Sequence, residues 1–277
     1  MLPTAQFDVV VAYTRPEIGP YLEQFDVEAH CISSSQTVDN WIGLAASALM
    51  VAGVPGHVLR LIGRLDPLVR KLSSIECDLW IFPAGDTVLY RSNLRSVAVI
   101  HDLMHRYERR FPEVGRWTIR TRRDMHYRAL CASADRLIAD SELGARHIVD
   151  SYGVDRNRIS VLPFSAPARV VVEDAGKATA PELPARYFYY PAQFWPHKNH
   201  LNLARAIRLM VDRGLDPHVV LSGGAIGSHR AFAKLAADLN IADRFTELGY
   251  VPDDLVATLY ARSIGLVYPS YFGPPTS

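Results

Sequence analysis

The sequence predicts an α/β protein built from two Rossmann-like domains, each a parallel sheet with helices on both faces. Three observations predict it. From residue 184 onward, short apolar runs alternate with amphipathic segments across short connections, the pattern of a parallel sheet wound with helices. The first half repeats this organisation less regularly. Between the halves lies SAPARVVVEDAGKATAPELPAR, rich in Ala, Pro and charge and without a sustained period. The expected boundaries are therefore a first domain over 1–165, a linker over 166–185 and a second domain over 186–277.

The elements follow in order. In the first half, FDVVVAY, VEAHCIS, DLWIFPAG, SVAVIHDL, DRLIADS and RISVLPFS read as strands, with VLRLIGRLDPLVRKLSSI and SELGARHIVDSYG as helical segments. The stretch GLAASALMVAGVPG from Gly43 is too short and too small-residued to span a bilayer and reads as a buried helix. In the second half RYFYYPA opens as a strand. HLNLARAIRLMVDRG follows as a helix, with Leu203, Ile207, Met210 and Val211 on one face and Gly214 ending it. HVVLSGG, RFTELGYV and IGLVYPS read as further strands and HRAFAKLAADLN as a helix. PDDLVATLYARS is a helix whose first-turn acids suit its dipole.

Composition bounds the function. A chain of 277 residues, 49% hydrophobic and 21% charged, is long enough for two modest cores. Its net charge of +1 is too balanced to suggest a nucleic-acid partner. Cys31, Cys77 and Cys131 are few, odd in number and widely spaced, as expected of reduced thiols in a cytoplasmic protein. The N-terminus lacks the basic-then-apolar pattern of a signal peptide.

Ligands of open parallel sheets sit at the carboxyl ends of the strands. If the two domains face each other across a cleft, that rule brings two loops into it: His101-Asp102 after SVAVI, and Gln193 to Asn199 after YFYY. Lys198 lies just before a helix whose open N–H groups favour an anion. It reads either as a cation for a diphosphate or as an ordinary loop lysine, and the rigid Trp195-Pro196 beside it favours the first. His101 reads either as a donor or base toward a substrate hydroxyl or as a histidine at the core edge.

Other signals are weaker. His101 with His105, and His197 with His200, have ligand-like spacings, but no Cys or carboxylate cluster completes a metal site. SGGAIG from Ser222 departs from the dinucleotide fingerprint, and no Asp-x-Asp triplet occurs to hold a metal-bound nucleotide. Arg106 to Arg128 contains eight arginines against three acidic residues. That run reads as a solvated helical face or as a surface that approaches anionic lipid.

Taken together, IHDLMHR, RLIADSELGARHIVDSYG, RISVLPF, FYYPAQFWPHKNHLNLARAI, LGYVPDDLVATLYARS and YPSYFGPP resemble the family 4 retaining glycosyltransferases of the GT-B fold. The resemblance runs from about residue 90 to residue 277. It implies a UDP- or GDP-sugar donor, a glycan or lipid-linked acceptor, retention of configuration, no metal and no cofactor. Cysteine usage and the missing signal pattern point to the cytoplasm, and the arginine-rich run to peripheral contact at the inner face of the membrane.

Residue by residue, Lys198 matches the family lysine on the donor diphosphate. Gln193 stands where the family has an arginine, leaving one fixed positive charge fewer. His101 matches the histidine that contacts the donor sugar, and Val251 falls where the backbone holds the nucleotide base. Gly273 falls at the first of a pair of family glutamates, and the second would lie beyond Ser277. No Gly-Gly turn precedes Gly223. The resemblance therefore implies a fragment short of its first unit and of the end of its donor domain. Two other readings are an inactive fragment or nucleotide-binding module, and a nucleotide-sugar epimerase of similar architecture. The epimerase would need further acid–base groups that these motifs do not supply.

Overall fold

A computed structural model of the chain describes residues 8–23, 25–32, 36–83, 85–164 and 182–272. Its contacts divide the chain into two compact units. One comprises Met1–Arg106 with Trp117–Pro163; the other comprises Tyr107–Arg116 with Phe164–Ser277.

In the first unit, β1 (Val10–Tyr13) pairs in parallel with β2 (Glu28–Cys31). A four-stranded parallel sheet of β3 (Trp80–Phe82), β4 (Ser96–Ile100), β5 (Arg136–Ala139) and β6 (Ile159–Val161) runs in that order. Central β4 is almost wholly buried, as a strand covered on both faces must be. Edge strands β3 and β6 alternate buried with exposed positions. Ala98, Ile100, Leu137 and Ala139 meet Leu130 and Ile148 of the flanking helices in the core. The helix Glu142–Tyr152 starts where Ser141 Oγ accepts from the Gly144 N–H at 3.1 Å and stops at the left-handed Gly153.

Two helical expectations are corrected here. Of the stretch expected as a buried helix, residues 43–51 close a longer helix, Gln36–Val51, that buries one face only, and the helix stops before the stretch ends. Gly43, Ala46 and Ser47 point inward, while Trp41, Leu49 and Val51 are exposed. VLRLIGRLDPLVRKLSSI is two helices, Gly56–Gly63 and Pro67–Ser73. Pro67 cannot continue a helix, and Asp66 begins a new one by accepting from the Leu68 N–H at 2.8 Å. The same carboxylate is held by the buried Arg91 guanidinium.

The second unit is built around β7 (Phe188–Pro191), β8 (Val219–Ser222), β9 (Phe245–Glu247) and β10 (Gly265–Leu266), all parallel, in the order β10-β7-β8-β9. Side-chain alternation divides its core in two. Tyr190 and Leu221 pack under the helices His200–Asp212 and His229–Asp238 with Leu203, Ile207 and Phe232. Tyr187, Tyr189 and Val220 pack on the other face with Leu259 of the helix Asp253–Arg262. Helices on both faces explain why every residue of β8 is buried. Most of the expected linker lies outside the described residues.

Candidate functional site at the strand ends of the second unit

The loops that leave the carboxyl ends of β7 and β8 hold one another. The Ala192 N–H donates to the Ser222 carbonyl at 2.8 Å, and the Ser228 N–H and hydroxyl both donate to the Phe194 carbonyl, each at 2.8 Å. Gly223, at φ +135°, makes this approach possible. A Cβ there would lie 2.7 Å from the Ala192 carbonyl and from the Gln193 nitrogen.

Beyond Phe194 the chain makes a tight turn, Pro196–Lys198, closed by Asn199 in the left-handed region before the helix His200–Asp212 begins. Asparagine tolerates that conformation, and its side chain secures it by donating to the Pro269 carbonyl at 2.9 Å. Lys198 is half-buried. Its carbonyl accepts from the Tyr190 hydroxyl at 2.7 Å, and its ammonium lies 5.5 Å from the centre of the Tyr268 ring. Its main chain is thus fixed just ahead of the helix His200–Asp212. Gln193 is exposed, and its amide oxygen accepts from the Trp195 indole N–H at 2.8 Å. The residue in the arginine's place therefore secures the loop and brings no charge.

A segment distant in sequence completes this turn. Within the same unit, Glu113 Oε1 accepts from the His197 backbone N–H at 3.2 Å and from His197 Nδ1 at 2.7 Å. Phe111 lies edge-on to His197, with ring centres 6.1 Å apart. The Tyr271 N–H donates to the His197 carbonyl at 2.9 Å. Sequence reasoning missed Glu113, because nothing around FPEVG in the sequence announces a partner 84 residues away.

In the first unit His101 stands just past β4. Its Nε2 lies 2.9 Å from the Pro83 carbonyl, which can only accept, so Nε2 carries the proton. Nδ1 faces Asp140 Oδ1 at 3.4 Å, at the end of β5. Asp140 is buried, which raises its pKa, while His101 pulls the other way. Asp102 accepts from the Met104 N–H at 2.8 Å and from Arg123 at 2.9 Å, so it organises the following turn. Asp140 was also missed, since it reads as an ordinary strand-end residue in DRLIADS.

Val251 is half-buried, its side chain packed against the Tyr187, Tyr189 and Leu259 cluster. Gly273 lies outside the described residues. The ligand-like histidine spacings dissolve in the fold. His105 is buried, stacked on Tyr127 and 3.7 Å from Asp124. His200 is buried and stacked on Phe194 with ring centres 4.1 Å apart. Burial pulls both pKa values down to about 4, helped at His105 by Arg123; the Ala192 backbone opposes the shift at His200. Among the described residues no three metal-ligating side chains gather, and no helix is long and apolar enough to cross a membrane. Part of the arginine-rich run is paired with nearby carboxylates, Arg106 with Asp124 at 2.5 Å and Arg123 with Asp102 at 2.9 Å.

Two all-parallel units with helices on both faces, and loops converging at the strand ends, define the GT-B glycosyltransferase fold class. Solved structures bear this out. HepE of Anabaena, crystallised in complex with UDP, matches 97% of this chain and 68% of its own at TM-score 0.61 and 15% identity. A glycosyltransferase of Rickettsia africae matches 94% of this chain and 64% of its own at TM-score 0.55 and 14% identity. Residues 2–164 match Glycosyltransferase Family 4, and the chain belongs to that family. The match takes in the region before residue 90, which the motifs alone had left out.

Among curated relatives, the D-inositol 3-phosphate glycosyltransferase of Nocardia farcinica is 31% identical over 159 residues, 54% of this chain and 35% of its own. An uncharacterized glycosyltransferase of Bacillus subtilis is 29% identical over 192 residues, 69% of this chain and 50% of its own. The chain thus spans between about a third and a half of the curated relatives it matches.

Proposed function

We propose that this chain is the hexosyltransferase its family membership suggests, moving a sugar from a UDP- or GDP-sugar to a glycan or lipid-linked acceptor with retention. The observation that carries the reading is Lys198. It is a cation on a turn pinned by main-chain bonds, at the carboxyl end of a central strand and at the N-terminus of a helix. Cleaving the donor builds negative charge on the departing diphosphate. Lys198 and the helix N–H groups stabilise that charge more in the transition state than in the ground state. With Gln193 in the arginine's place, Lys198 is the main side-chain cation for this task.

The resemblance further assigns His101 to the donor sugar, the Val251 backbone to the base, and the position of Gly273 to the neighbourhood of the donor ribose and sugar. The first domain takes the acceptor and the second the donor. The absence of an Asp-x-Asp triplet supports a reaction without a metal. The UDP held by HepE supports the donor class. We place the protein in the cytoplasm, peripheral at the inner face of the membrane.

Thermal shift against a panel of UDP- and GDP-sugars tests the reading, because a bound ligand stabilises the fold according to its occupancy. A shift with one nucleotide series, with transfer or donor hydrolysis, supports it. A shift without turnover makes the chain a nucleotide-binding module. No shift with any of them defeats the donor site.

A further inference from the structure

We propose that Glu113 is a positioning residue, and that the segment Tyr107–Arg116 clamps the turn from which Lys198 projects. The inference rests on the reading of Lys198 as the diphosphate cation and extends it to a residue that no motif marks.

The clamp is built from specific contacts. A short helical turn leaves its first N–H groups without internal partners. Glu113 Oε1 fills that role for His197 and binds the ring Nδ1 of the same residue as well. One oxygen thereby fixes both the main chain and the side chain of the residue preceding Lys198. Neither partner is loose, with side chains 10% and 15% exposed for Glu113 and His197. The Arg110 guanidinium lies over both the Phe111 ring, at 4.8 Å, and the Tyr271 ring, at 4.7 Å. Tyr271 in turn grips the His197 carbonyl through its own N–H.

The segment is preformed for this task. Phe111 and Val114 are buried, and the Gly115 N–H donates to the Phe111 carbonyl at 2.6 Å. Gly115 lies so close to the Arg109 carbonyl that an added Cβ would stand 2.0 Å from its oxygen. Stability alone does not account for the carboxylate. Its other oxygen, Oε2, is buried with no hydrogen-bond partner among the described residues. A buried carboxylate with one oxygen unsatisfied adds little net stability. What it does add is geometry, since it fixes the residue that precedes Lys198 in the turn.

The test compares wild type with Glu113→Ala, Glu113→Gln and Lys198→Ala. Two readouts are taken: amide hydrogen exchange of residues 194–199 in the free protein, and affinity for UDP and GDP by calorimetry. Loss of a charge-assisted bond predicts about tenfold faster exchange at His197 and Lys198 in Glu113→Ala, and about tenfold weaker binding of the preferred nucleotide. Glu113→Gln retains an acceptor for the His197 N–H and should lose only about threefold in each.

If Glu113→Ala exchanges and binds as wild type does while Lys198→Ala binds weakly, the clamp is refuted and the diphosphate reading stands. If Glu113→Ala speeds exchange but keeps full affinity, Glu113 is merely structural and the proposal is likewise overturned. If Lys198→Ala itself binds as tightly as wild type, the diphosphate reading fails and takes the proposal with it, whatever the exchange data show about the turn.

Discussion

Removing the Lys198 side chain tests the donor site at its centre, and the structure sets the size of the effect. The turn is held through main-chain groups. The Lys198 N–H donates to the Trp195 carbonyl at 2.9 Å, and its carbonyl accepts from Tyr190. Lys198→Ala leaves both bonds in place. It removes the attraction between the ammonium and the Tyr268 ring, worth about 0.5–1 kcal/mol at a partly exposed site. The variant should therefore fold with nearly unchanged stability. A charge-assisted bond to a phosphate oxygen contributes about 1.5–3 kcal/mol, so nucleoside diphosphate affinity should fall roughly 10- to 150-fold. The rate of transfer should fall further than affinity, because charge on the leaving group grows toward the transition state. Lys198→Arg should recover only part of either, since a planar fork does not replace a point charge. Calorimetry with UDP and GDP, beside initial rates with the preferred donor, measures both. Equal nucleotide affinity in wild type and Lys198→Ala would refute the reasoning.

His101→Ala should cut transfer while leaving the melting temperature close to wild type, because the ring is nearly half exposed; unchanged turnover, or activity abolished by a chelator, would count against its role at the donor sugar. His105 and His200 are held neutral by burial, with folded pKa values near 4 against about 6.5 unfolded. The unfolded chain therefore binds more protons between pH 6.5 and 4, so each histidine's contribution is complete above that window and lost as pH falls through it. The loss is about 3 kcal/mol at most per residue, and His200→Phe should flatten the melting temperature against pH in acid. Gly223→Ala should destabilise the second unit by about 2 kcal/mol or more in urea titration, because a left-handed φ and a 2.7 Å backbone contact both resist a Cβ.

The parallel architecture was legible in the sequence because the central strands are short apolar runs bounded by turn residues. YFYY and HVVL announce buried strands by composition, and the period of HLNLARAI announces the helix that covers one face. Lys198 was legible for the same local reason, since a cation just ahead of a helix start can be seen without knowing what lies beside it. Helix boundaries were less legible where a single residue decides them. Pro67 with Asp66 splits one apolar stretch into two helices, and the outward face of Gln36–Val51 looks apolar enough in sequence to be core.

The sequence by itself determined the fold class, the strands and the loop that bears Lys198, because these depend on patterns a few residues long. Only the tertiary structure decided which distant groups meet there. It set Glu113 against His197 across 84 residues and Asp140 beside His101 across 39. It also separated His105 and His200 from any shared ligand and buried them as neutral rings. The physical reason is range: periodicity and turn chemistry act between neighbours along the chain. Hydrogen bonds, ion pairs and desolvation act between neighbours in space, and no local pattern encodes which those will be.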